Sequence, residues 1–406
     1  MRYCPRCSTP LSNSEIAMDN SYQTVKDKSI TLRFKIKDSN MGENVYALAW
    51  TTTPWTLPSN LALAVHPDIE YVYLQDKDDG SVYILAKELI SQYFKSEEEY
   101  EILKEVKGEE LAGLEYEPLF PYFKDHKNAF RIIKGDFVSA EEGTGVVHIA
   151  PAFGEDDYNV WKENGIDLVQ PIDEQGKFTE EVTDYKGRYI FDTNDDIIKR
   201  LKGEGKIVKV AKTEHEYPFC YRCDTPLIYR AVPSWFVDIQ KIKPRLLELN
   251  EKINWYPNFL KNGRVKHNIE SAPDWNISRN RYWATAMPVW KSESGKIKVI
   301  GSKEELKKHA TNLPEDREID LHKDYLDGVK LKDEEGEEYE RIPEVLDCWF
   351  ESGSMPFAQF HYPFENKEFF EKNFPSQFVA EYIGQTRAWF YYMMVLAGII
   401  FFFFSF

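Results

Sequence analysis

The sequence predicts an α/β protein in which a β-rich domain is inserted between the two halves of a small cysteine knuckle. The motif CPRCSTPL at residues 4–11 recurs at residues 220–227 as CYRCDTPL. Between the two copies, short segments rich in β-branched and aromatic residues alternate with Gly, Asp and Pro, a pattern typical of strands and turns. After the second copy the pattern changes to a longer helical segment and to stretches rich in Trp, Arg and Pro.

The repeated motif contains two CxxC pairs, formed by Cys4, Cys7, Cys220 and Cys223. Four thiolates complete a tetrahedral structural zinc site, and a two-residue spacer lets both sulfurs of a pair face one ion. We therefore expect one zinc site, split by the inserted domain. Two unpaired knuckles, a redox-active pair and a site that has lost its metal are the alternatives. Cys348 lies outside this pattern, and we predict that it is a buried thiol.

Six segments of the insert read as strands, because they are rich in β-branched and aromatic residues and end at Gly, Asp or Pro. They are residues 29–38, 45–52, 70–76, 81–86, 130–138 and 145–150. Helical patches are few, at about residues 86–94 and 155–163. The insert is therefore expected to be a barrel-like, closed or nearly closed sheet with small helices.

The C-terminal part of the chain has a different character. Residues 238–253 read as an amphipathic helix that Pro244 starts or kinks. Residues 313–344 are strongly charged and are expected to form a solvated hairpin. Residues 389–406 carry no charge, so they reach the length of a membrane span. The preferred interpretations are a buried helix or strand that is cut short, or a frameshifted tail.

The amino-acid composition argues against two classes of protein. The net charge of −17 argues against a protein that binds nucleic acid by neutralising phosphates over its whole surface. Five cysteines in 406 residues do not make a disulfide scaffold. Because the first residues are charged and cysteine-containing rather than apolar, we predict no signal peptide and a cytoplasmic location.

Five long stretches resemble the class I aminoacyl-tRNA synthetases, and specifically their isoleucyl branch. WTTTPWTLPSN (50–60) and GTGVVHIAPAFGEDDY (143–158) resemble the two signature segments of the editing domain. The valyl and leucyl branches have an arginine where this chain has Thr53. WNISRNRYWATAMPVW (275–290), LDCWFESGSMPFAQ (346–359) and EYIGQTRAWFYY (381–392) resemble the second half of the catalytic domain.

The resemblance implies an internal piece of a longer enzyme, because the chain has neither a HIGH-like nor a KMSKS-like signature. It implies a zinc ribbon in two halves, an editing domain and a truncated, incomplete Rossmann-type class I catalytic domain. The corresponding boundaries are residues 1–14 and 215–232 for the ribbon, 15–214 for editing and 233–406 for catalysis. ATP and Mg²⁺ would serve only the full-length parent, which attaches isoleucine to its tRNA.

For this piece the resemblance implies hydrolysis of mischarged Val-tRNA, with an isoleucine-accepting tRNA, valine and isoleucine as ligands. We expect a monomer that does not bind membranes and does not aminoacylate alone. An apolar pocket cannot strongly reject an amino acid that is one methylene smaller, so a second, hydrolytic site is needed.

In the editing segments, the resemblance assigns the α-ammonium of the substrate to Asp157. The alternative is that Asp156 or Asp157 only caps a short helix. His148 resembles the pocket wall that excludes isoleucine, although a lone histidine on a strand is more often a core residue.

The Thr51, Thr52 and Thr53 hydroxyls could position water or the terminal adenosine, with Thr51 and Thr53 on one side of the strand. Their alternative role is β-propensity alone. Thr56 and Asn60 are weaker candidates for the polar lining. Because neither segment offers a nucleophile beside a base, we predict direct attack by a positioned water.

In the catalytic segments, Trp349 and Trp389 resemble the tryptophans that flank the isoleucine side chain, with core packing as the alternative. Glu381 and Gln385 resemble polar contacts to the aminoacyl-adenylate. The supporting residues on the nucleotide side would be Arg279, Arg281 and Trp283. The chain departs from the family pattern at Ala284, Ala286 and Gly384.

Two other functional classes fit parts of the sequence. A zinc-ribbon module that only binds RNA or protein would explain the cysteines, but it would need neither WTTTPWTLPSN nor GTGVVHIAPAFGEDDY. A membrane-anchored protein would explain the apolar C-terminal stretch alone.

Overall fold

A computed structural model describes residues 1–11, 13–16, 21–154, 157, 164–313 and 318–401. The chain divides into two compact units, Met1–Val232 and Pro233–Phe406. Each unit has a hydrophobic core of its own, and the two are described separately below.

The first unit is built mainly from strands. The strands are β1 (Arg2–Cys4), β2 (Thr9–Leu11), β3 (Tyr22–Lys35), β4 (Val45–Thr51), β5 (Ala62–Val65), β6 (Glu70–Asp76), β7 (Val82–Ala86), β8 (Tyr100–Lys107), β9 (Arg131–Lys134), β10 (Val146–Ile149), β11 (Ile207–Pro218) and β12 (Ile228–Tyr229). Its α-helices are α1 (Asn13–Ile16), α2 (Gly108–Leu111) and α3 (Asn194–Gly203). The 3₁₀ helices are Pro54–Ser59, Lys87–Gln92, Glu97–Glu99, Thr183–Tyr185 and Ile190–Thr193.

Nine of these strands form one curled, half-barrel sheet within the described part of the chain. Along it the order is β8-β6-β7-β4-β10-β5-β9, and β3 joins β4 to β11. Its inner face carries apolar residues such as Phe34, Ala47 and Leu63, which are fully buried in the main core. Burial of this apolar face supplies the main driving force for the fold of the unit.

All six predicted strands of the insert are present, with shifted ends. The segment 70–76 matches β6, whereas the predicted 130–138 shrinks to Arg131–Lys134. The predicted helix at 86–94 is a 3₁₀ helix, Lys87–Gln92. Apart from Asp157, the predicted helix at 155–163 lies outside the described residues. The prediction missed β5, β8, β11 and α3.

The strands that flank the two CxxC motifs form a small sheet of their own, with the order β12-β1-β2. Strand β1 pairs antiparallel with both neighbours, so that Arg2 lies opposite Tyr229 on one side and Leu11 on the other. This pairing brings chain segments from the two ends of the first unit together.

The second unit mixes helices with short strands. The strands are β13 (Phe236–Val237), β14 (Trp275–Asn276), β15 (Ser278–Arg279), β16 (Val289–Ser292), β17 (Ile297–Val299), β18 (Lys330–Lys332), β19 (Glu338–Arg341) and β20 (Val345–Leu346). The α-helices are α4 (Ile239–Lys252), α5 (Lys266–Ser271), α6 (Lys303–His309), α7 (Lys323–Leu326), α8 (Cys348–Ala358), α9 (Lys367–Asn373) and α10 (Trp389–Ile400). A π-helical turn, Lys261–Val265, and a 3₁₀ helix, Ile383–Arg387, complete the unit.

Helix α4 confirms the predicted amphipathic helix and contains Pro244. Asp238 caps its first turn by accepting a hydrogen bond from the Lys241 backbone N–H at 3.1 Å. The predicted charged hairpin appears as the antiparallel pair β18–β19, preceded by α7.

The apolar C-terminal stretch forms α10, whose Val395 and Leu396 are buried in the core of the second unit together with Leu246 and Leu249 of α4. This arrangement confirms the buried-helix interpretation for residues 389–400. In the described part of the chain, no helix is both long enough and apolar enough to cross a bilayer. Residues 402–406 lie outside that part.

The prediction of a buried thiol at Cys348 is wrong, because the residue is exposed. It is the first residue of α8, where the side chains of the first turn have no preceding turn to cover them.

Candidate functional site

The first unit contains a cavity of about 340 Å³. Its lining residues come from the two sequence segments with editing-domain resemblance and from the loop before β10. They are Trp50, Thr51, Thr52, Thr53, Thr56, Phe137, Ser139, Glu142, Gly143, Thr144, Gly145, Val146, Val147, His148, Ala150, Phe153 and Asp157. The five residues predicted to be catalytic, and Thr56, therefore share one cavity.

Strand register explains how segments so far apart in sequence come together. Strand β10 pairs parallel with β4, where Val147 lies opposite Trp50. On its other side β10 pairs antiparallel with β5, where His148 lies opposite Leu63. Because β4 leads into the threonine segment and β10 leads toward Asp157, both segments leave the sheet beside the same cavity.

The threonine segment makes a tight, hydrogen-bonded turn at the end of β4. The Thr53 backbone N–H donates to Thr51 Oγ1 at 3.0 Å, and the two hydroxyl oxygens lie 3.1 Å apart. Pro54 then occupies the first turn of the 3₁₀ helix, where its fixed φ and missing N–H are tolerated. Thr51 and Thr53 thus present neighbouring hydroxyls.

His148 is buried, and both of its ring nitrogens are engaged. Nε2 lies 2.9 Å from Thr56 Oγ1, and Nδ1 lies 2.8 Å from Asn60 Nδ2. Burial lowers the pKa of His148 to about 3, because the charged imidazolium loses its hydration. The ring is therefore neutral at physiological pH and offers no free nitrogen lone pair to a substrate.

Asp157 reaches back toward the end of β10. Its Oδ1 accepts a hydrogen bond from the Ala150 backbone N–H at 3.2 Å. The space beside its other oxygen is available only because residue 154 is glycine, since a Cβ there would lie 1.7 Å from Asp157 Oδ2. Phe153, which precedes Gly154, packs against Trp55 with ring centroids 4.8 Å apart. The segment after β10 therefore contacts the threonine segment.

The charge of the cavity favours a cationic ligand group. Asp157 and Glu142 are acidic, and among the described residues of the lining there is neither a lysine nor an arginine. Five threonines and Ser139 add hydroxyl groups. A small ligand with an ammonium group and a polar ester would match this lining.

Asn60 does not line the cavity but lies behind His148, to which it donates a hydrogen bond. Sequence reasoning missed several lining residues, among them Trp50, Phe137, Ser139 and Glu142. Trp50 is the first residue of the recognised segment 50–60, and Glu142 directly precedes the segment 143–158, so their place in the sequence could have found them. Phe137 and Ser139 carried no such signal.

The four cysteines of the repeated motif form one cluster, in which all four sulfurs lie within 4.8 Å of one another. Cys223 Sγ lies 3.5 Å from the sulfurs of both Cys4 and Cys7. A tetrahedral zinc with Zn–S bonds of about 2.3 Å places its sulfurs roughly 3.8 Å apart. The donor set and its spacing therefore fit a metal ion.

The predicted residues of the second unit do not line the cavity described above. Trp349 stacks on Tyr392 with centroids 5.5 Å apart, and Trp389 Nε1 donates to the Ser352 backbone oxygen at 2.8 Å. Both tryptophans therefore lie where α8 packs against α10. Gln385 Oε1 accepts a hydrogen bond from the Trp389 backbone N–H at 3.0 Å, and Glu381 is exposed.

The nucleotide-side candidates are held differently. Arg279 forms an ion pair with buried Asp347 at 3.1 Å, and Arg281 donates to the Asn280 backbone oxygen at 2.8 Å. Trp283 is 76% exposed and stacks on His322 with centroids 5.0 Å apart.

The chain matches one known protein family over almost its whole length. Residues 1–402 match the model of the tRNA synthetases class I (I, L, M and V). The chain belongs to this family. This membership agrees with the resemblance seen in the sequence, and the match includes residues of both structural units.

Curated relatives in this family include isoleucine–tRNA ligases. The chain is 49% identical to the one from Treponema denticola and covers 39% of its length, with 98% of the chain aligned. It is 48% identical to the one from Clostridium tetani and covers 38% of that protein, again with 98% aligned. The chain thus spans about two-fifths of these relatives.

Solved structures with some similarity include leucyl-tRNA synthetase editing domains. The cytosolic P.knowlesi domain has a TM-score of 0.34 at 14% identity and covers 45% of the chain. The chain covers 95% of that domain. The P.falciparum domain, in space group P1, has a TM-score of 0.35 at 12% identity, with 45% of the chain and 98% of the domain covered.

Proposed function

We propose that this chain is an internal part of an isoleucine–tRNA ligase and that its first unit hydrolyses valine from mischarged tRNA. Family membership and the identity to isoleucine–tRNA ligases support the parent enzyme. The observation that carries the hydrolytic role is the cavity in which Thr51, Thr52, Thr53, His148 and Asp157 meet.

In this proposal Asp157 binds the α-ammonium of the valyl ester, because a fixed carboxylate that lines the cavity pairs with a cation. Neutral His148 forms a wall against the side chain and leaves no room for the extra methylene of isoleucine. The selectivity then comes from shape, because the imidazole carries no charge.

The hydroxyls of Thr51, Thr52 and Thr53 orient the attacking water and the terminal ribose. The water oxygen forms a bond with the ester carbonyl carbon, and the bond from that carbon to the ribose oxygen breaks. The ribose oxygen takes up a proton, which releases valine and free tRNA. Positioning of the water and stabilisation of the developing charge supply the catalysis.

The zinc ribbon has a structural role in this proposal. Cys4, Cys7, Cys220 and Cys223 would hold one Zn²⁺ that joins the two ends of the insert. We assign residues 1–14 and 215–232 to the ribbon, 15–214 to the editing domain and 233–406 to the incomplete Rossmann-type catalytic domain. Attachment of isoleucine with ATP and Mg²⁺ would belong to the full-length ligase. Trp349, Trp389, Glu381 and Gln385 would contact its amino acid and adenylate.

Hydrolysis of Val-tRNA by the purified chain tests the proposal. We expect release of valine, and a loss of at least about a hundredfold in rate for Asp157→Ala, because removal of one charge-assisted contact costs about 3 kcal/mol. Asp125→Ala is the matched control, since Asp125 is an exposed aspartate of the same unit outside the cavity. Valine release that survives Asp157→Ala, or that is lost equally in the control, would contradict the assignment.

A further inference from the structure

A chain of hydrogen bonds runs from the core of the first unit to the wall of the cavity. The Tyr116 hydroxyl donates to Asn60 Oδ1 at 2.7 Å. Asn60 Nδ2 donates to the Ala62 backbone oxygen at 2.9 Å and to His148 Nδ1 at 2.8 Å. His148 Nε2 lies 2.9 Å from Thr56 Oγ1.

Two backbone carbonyls that accept hydrogen bonds from members of this chain, those of Ala62 and Thr53, fix the direction of its bonds. Because the Ala62 carbonyl can only accept, the amide nitrogen of Asn60 must face it, and its second N–H is directed at His148 Nδ1. Nδ1 is therefore an acceptor, so the neutral ring carries its proton on Nε2 and donates it to Thr56. The Thr56 hydroxyl in turn donates to the Thr53 backbone oxygen at 2.8 Å.

Tyr116 lies at the buried end of the hydrogen-bond chain, where its neighbours hold it in place. It is completely enclosed, and its ring meets those of Phe34 and Phe130 edge-on, with centroids 5.4 and 6.0 Å away. Burial raises the pKa of its phenol far above the usual value, so the hydroxyl keeps its proton and remains a donor.

We propose that Tyr116 is a positioning residue that acts through Asn60 to hold His148 as the neutral Nε2–H tautomer, and so fixes the wall that discriminates valine from isoleucine. This inference rests on the proposed editing function. The opposite tautomer would require Asn60 to turn its oxygen toward Nδ1 and Thr56 to reverse its hydroxyl. Turning Asn60 would place its oxygen against the Ala62 backbone oxygen, which can only accept. Reversing Thr56 would take the hydroxyl donor from the Thr53 backbone oxygen and leave it only the Thr56 backbone N–H at 3.0 Å, so the observed direction is the stable one.

The tautomer can be read directly by nitrogen NMR of the ¹⁵N-histidine-labelled chain, with the His148 signals assigned by their absence in His148→Gln. The wild type should show an unprotonated Nδ1 and a protonated Nε2. In Tyr116→Phe the two nitrogen shifts should move toward each other, because both tautomers become populated. A protonated Nδ1 in the wild type would overturn the proposal even if no variant folds.

Selectivity provides the second readout. Loss of one buried hydrogen bond in Tyr116→Phe should raise hydrolysis of Ile-tRNA relative to Val-tRNA by about threefold to tenfold. The matched control is Tyr73→Phe, which removes a hydroxyl from a buried tyrosine of the same core that lies outside the cavity lining. The control should leave both the ratio and the His148 signals unchanged.

Unchanged His148 signals in a folded Tyr116→Phe protein would overturn the positioning role, and shifted signals with an unchanged ratio would overturn its link to selectivity. Because the NMR readout needs no tRNA, it separates this inference from the proposed function. A chain that fails to hydrolyse Val-tRNA at all would remove the selectivity link but leave the tautomer measurement decisive for Tyr116.

Discussion

The imidazole of His148 combines two properties that exclude it from acid–base chemistry. Its pKa is lowered to about 3 by burial, and both ring nitrogens already have partners within the protein. A general base needs a pKa near the working pH and a free lone pair within reach of the proton. His148 can therefore shape the cavity but cannot take a proton from water.

The same burial makes the stability of the first unit depend on pH. The unfolded chain binds a proton at His148 below about pH 6.5, whereas the folded chain does so only below about pH 3. Between these values the unfolded state holds the extra proton, so acidification favours unfolding, by up to about 1.4 kcal/mol per pH unit.

Urea denaturation between pH 7 and pH 5 checks this expectation. The free energy of unfolding should fall more steeply with decreasing pH in the wild type than in His148→Gln, which has no group that titrates at this position. Parallel pH profiles for the two proteins would show that His148 is not buried as a neutral ring.

Gly154 provides a test of the Asp157 geometry that leaves the carboxylate itself in place. A Cβ at residue 154 would lie 1.7 Å from Asp157 Oδ2, so Gly154→Ala must displace the carboxylate. We expect Val-tRNA hydrolysis to fall at least about tenfold, which corresponds to about 1.4 kcal/mol. Gly203→Ala is the control, because nothing lies within 4 Å of a Cβ there; a Gly154→Ala protein with full activity would refute the geometry.

At the scale of elements, the sequence predicted best where both faces of a strand are largely buried. Strands β4, β6 and β7 lie within two residues of their predicted ends, because their apolar content leaves little choice of conformation. The first half of β3 was missed, since Tyr22–Lys28 is mostly polar and mostly exposed. Its strand state depends on pairing with β11, a long-range contact that no local pattern encodes.

The cysteine cluster is the element that holds the ends of the first unit together, and metal content tests it. The wild type should bind one zinc per chain, and Cys220→Ser should bind less than half an equivalent and melt at a lower temperature, because metal binding is coupled to folding. Cys348→Ser is the matched control, since this exposed thiol lies outside the cluster. Full zinc binding by Cys220→Ser would rule out the four-sulfur site.

At the scale of the whole molecule, sequence resemblance indicated which segments matter, but not how they meet. The threonines, His148 and Asp157 could be named from their motifs, whereas the shared cavity depends on the parallel pairing of β10 with β4. Tyr116 had no sequence signal at all, because its role comes from a hydrogen bond to Asn60 across 56 positions of the chain. The catalytic roles of the threonines, His148 and Asp157 and the positioning role of Tyr116 stay predictions.

In the second unit, residues that were recognised from their motifs are engaged in packing. Its segments 346–359 and 381–392 resemble catalytic motifs, yet Trp349 and Trp389 are engaged in packing between α8 and α10. The chain spans about two-fifths of its ligase relatives. A role of these two tryptophans in isoleucine attachment is therefore a proposal about the full-length enzyme.

The cytoplasmic location and the monomeric state of the protein also stay predictions.

The most direct measurement compares hydrolysis of Val-tRNA and Ile-tRNA by the wild-type chain and by His148→Ala. We expect the wild type to release valine and to spare isoleucine. In His148→Ala, where the wall is removed, Ile-tRNA should also be hydrolysed. Equal hydrolysis of both esters by the wild type, or continued sparing of isoleucine by a folded and active His148→Ala protein, would show that His148 is not the wall that excludes isoleucine.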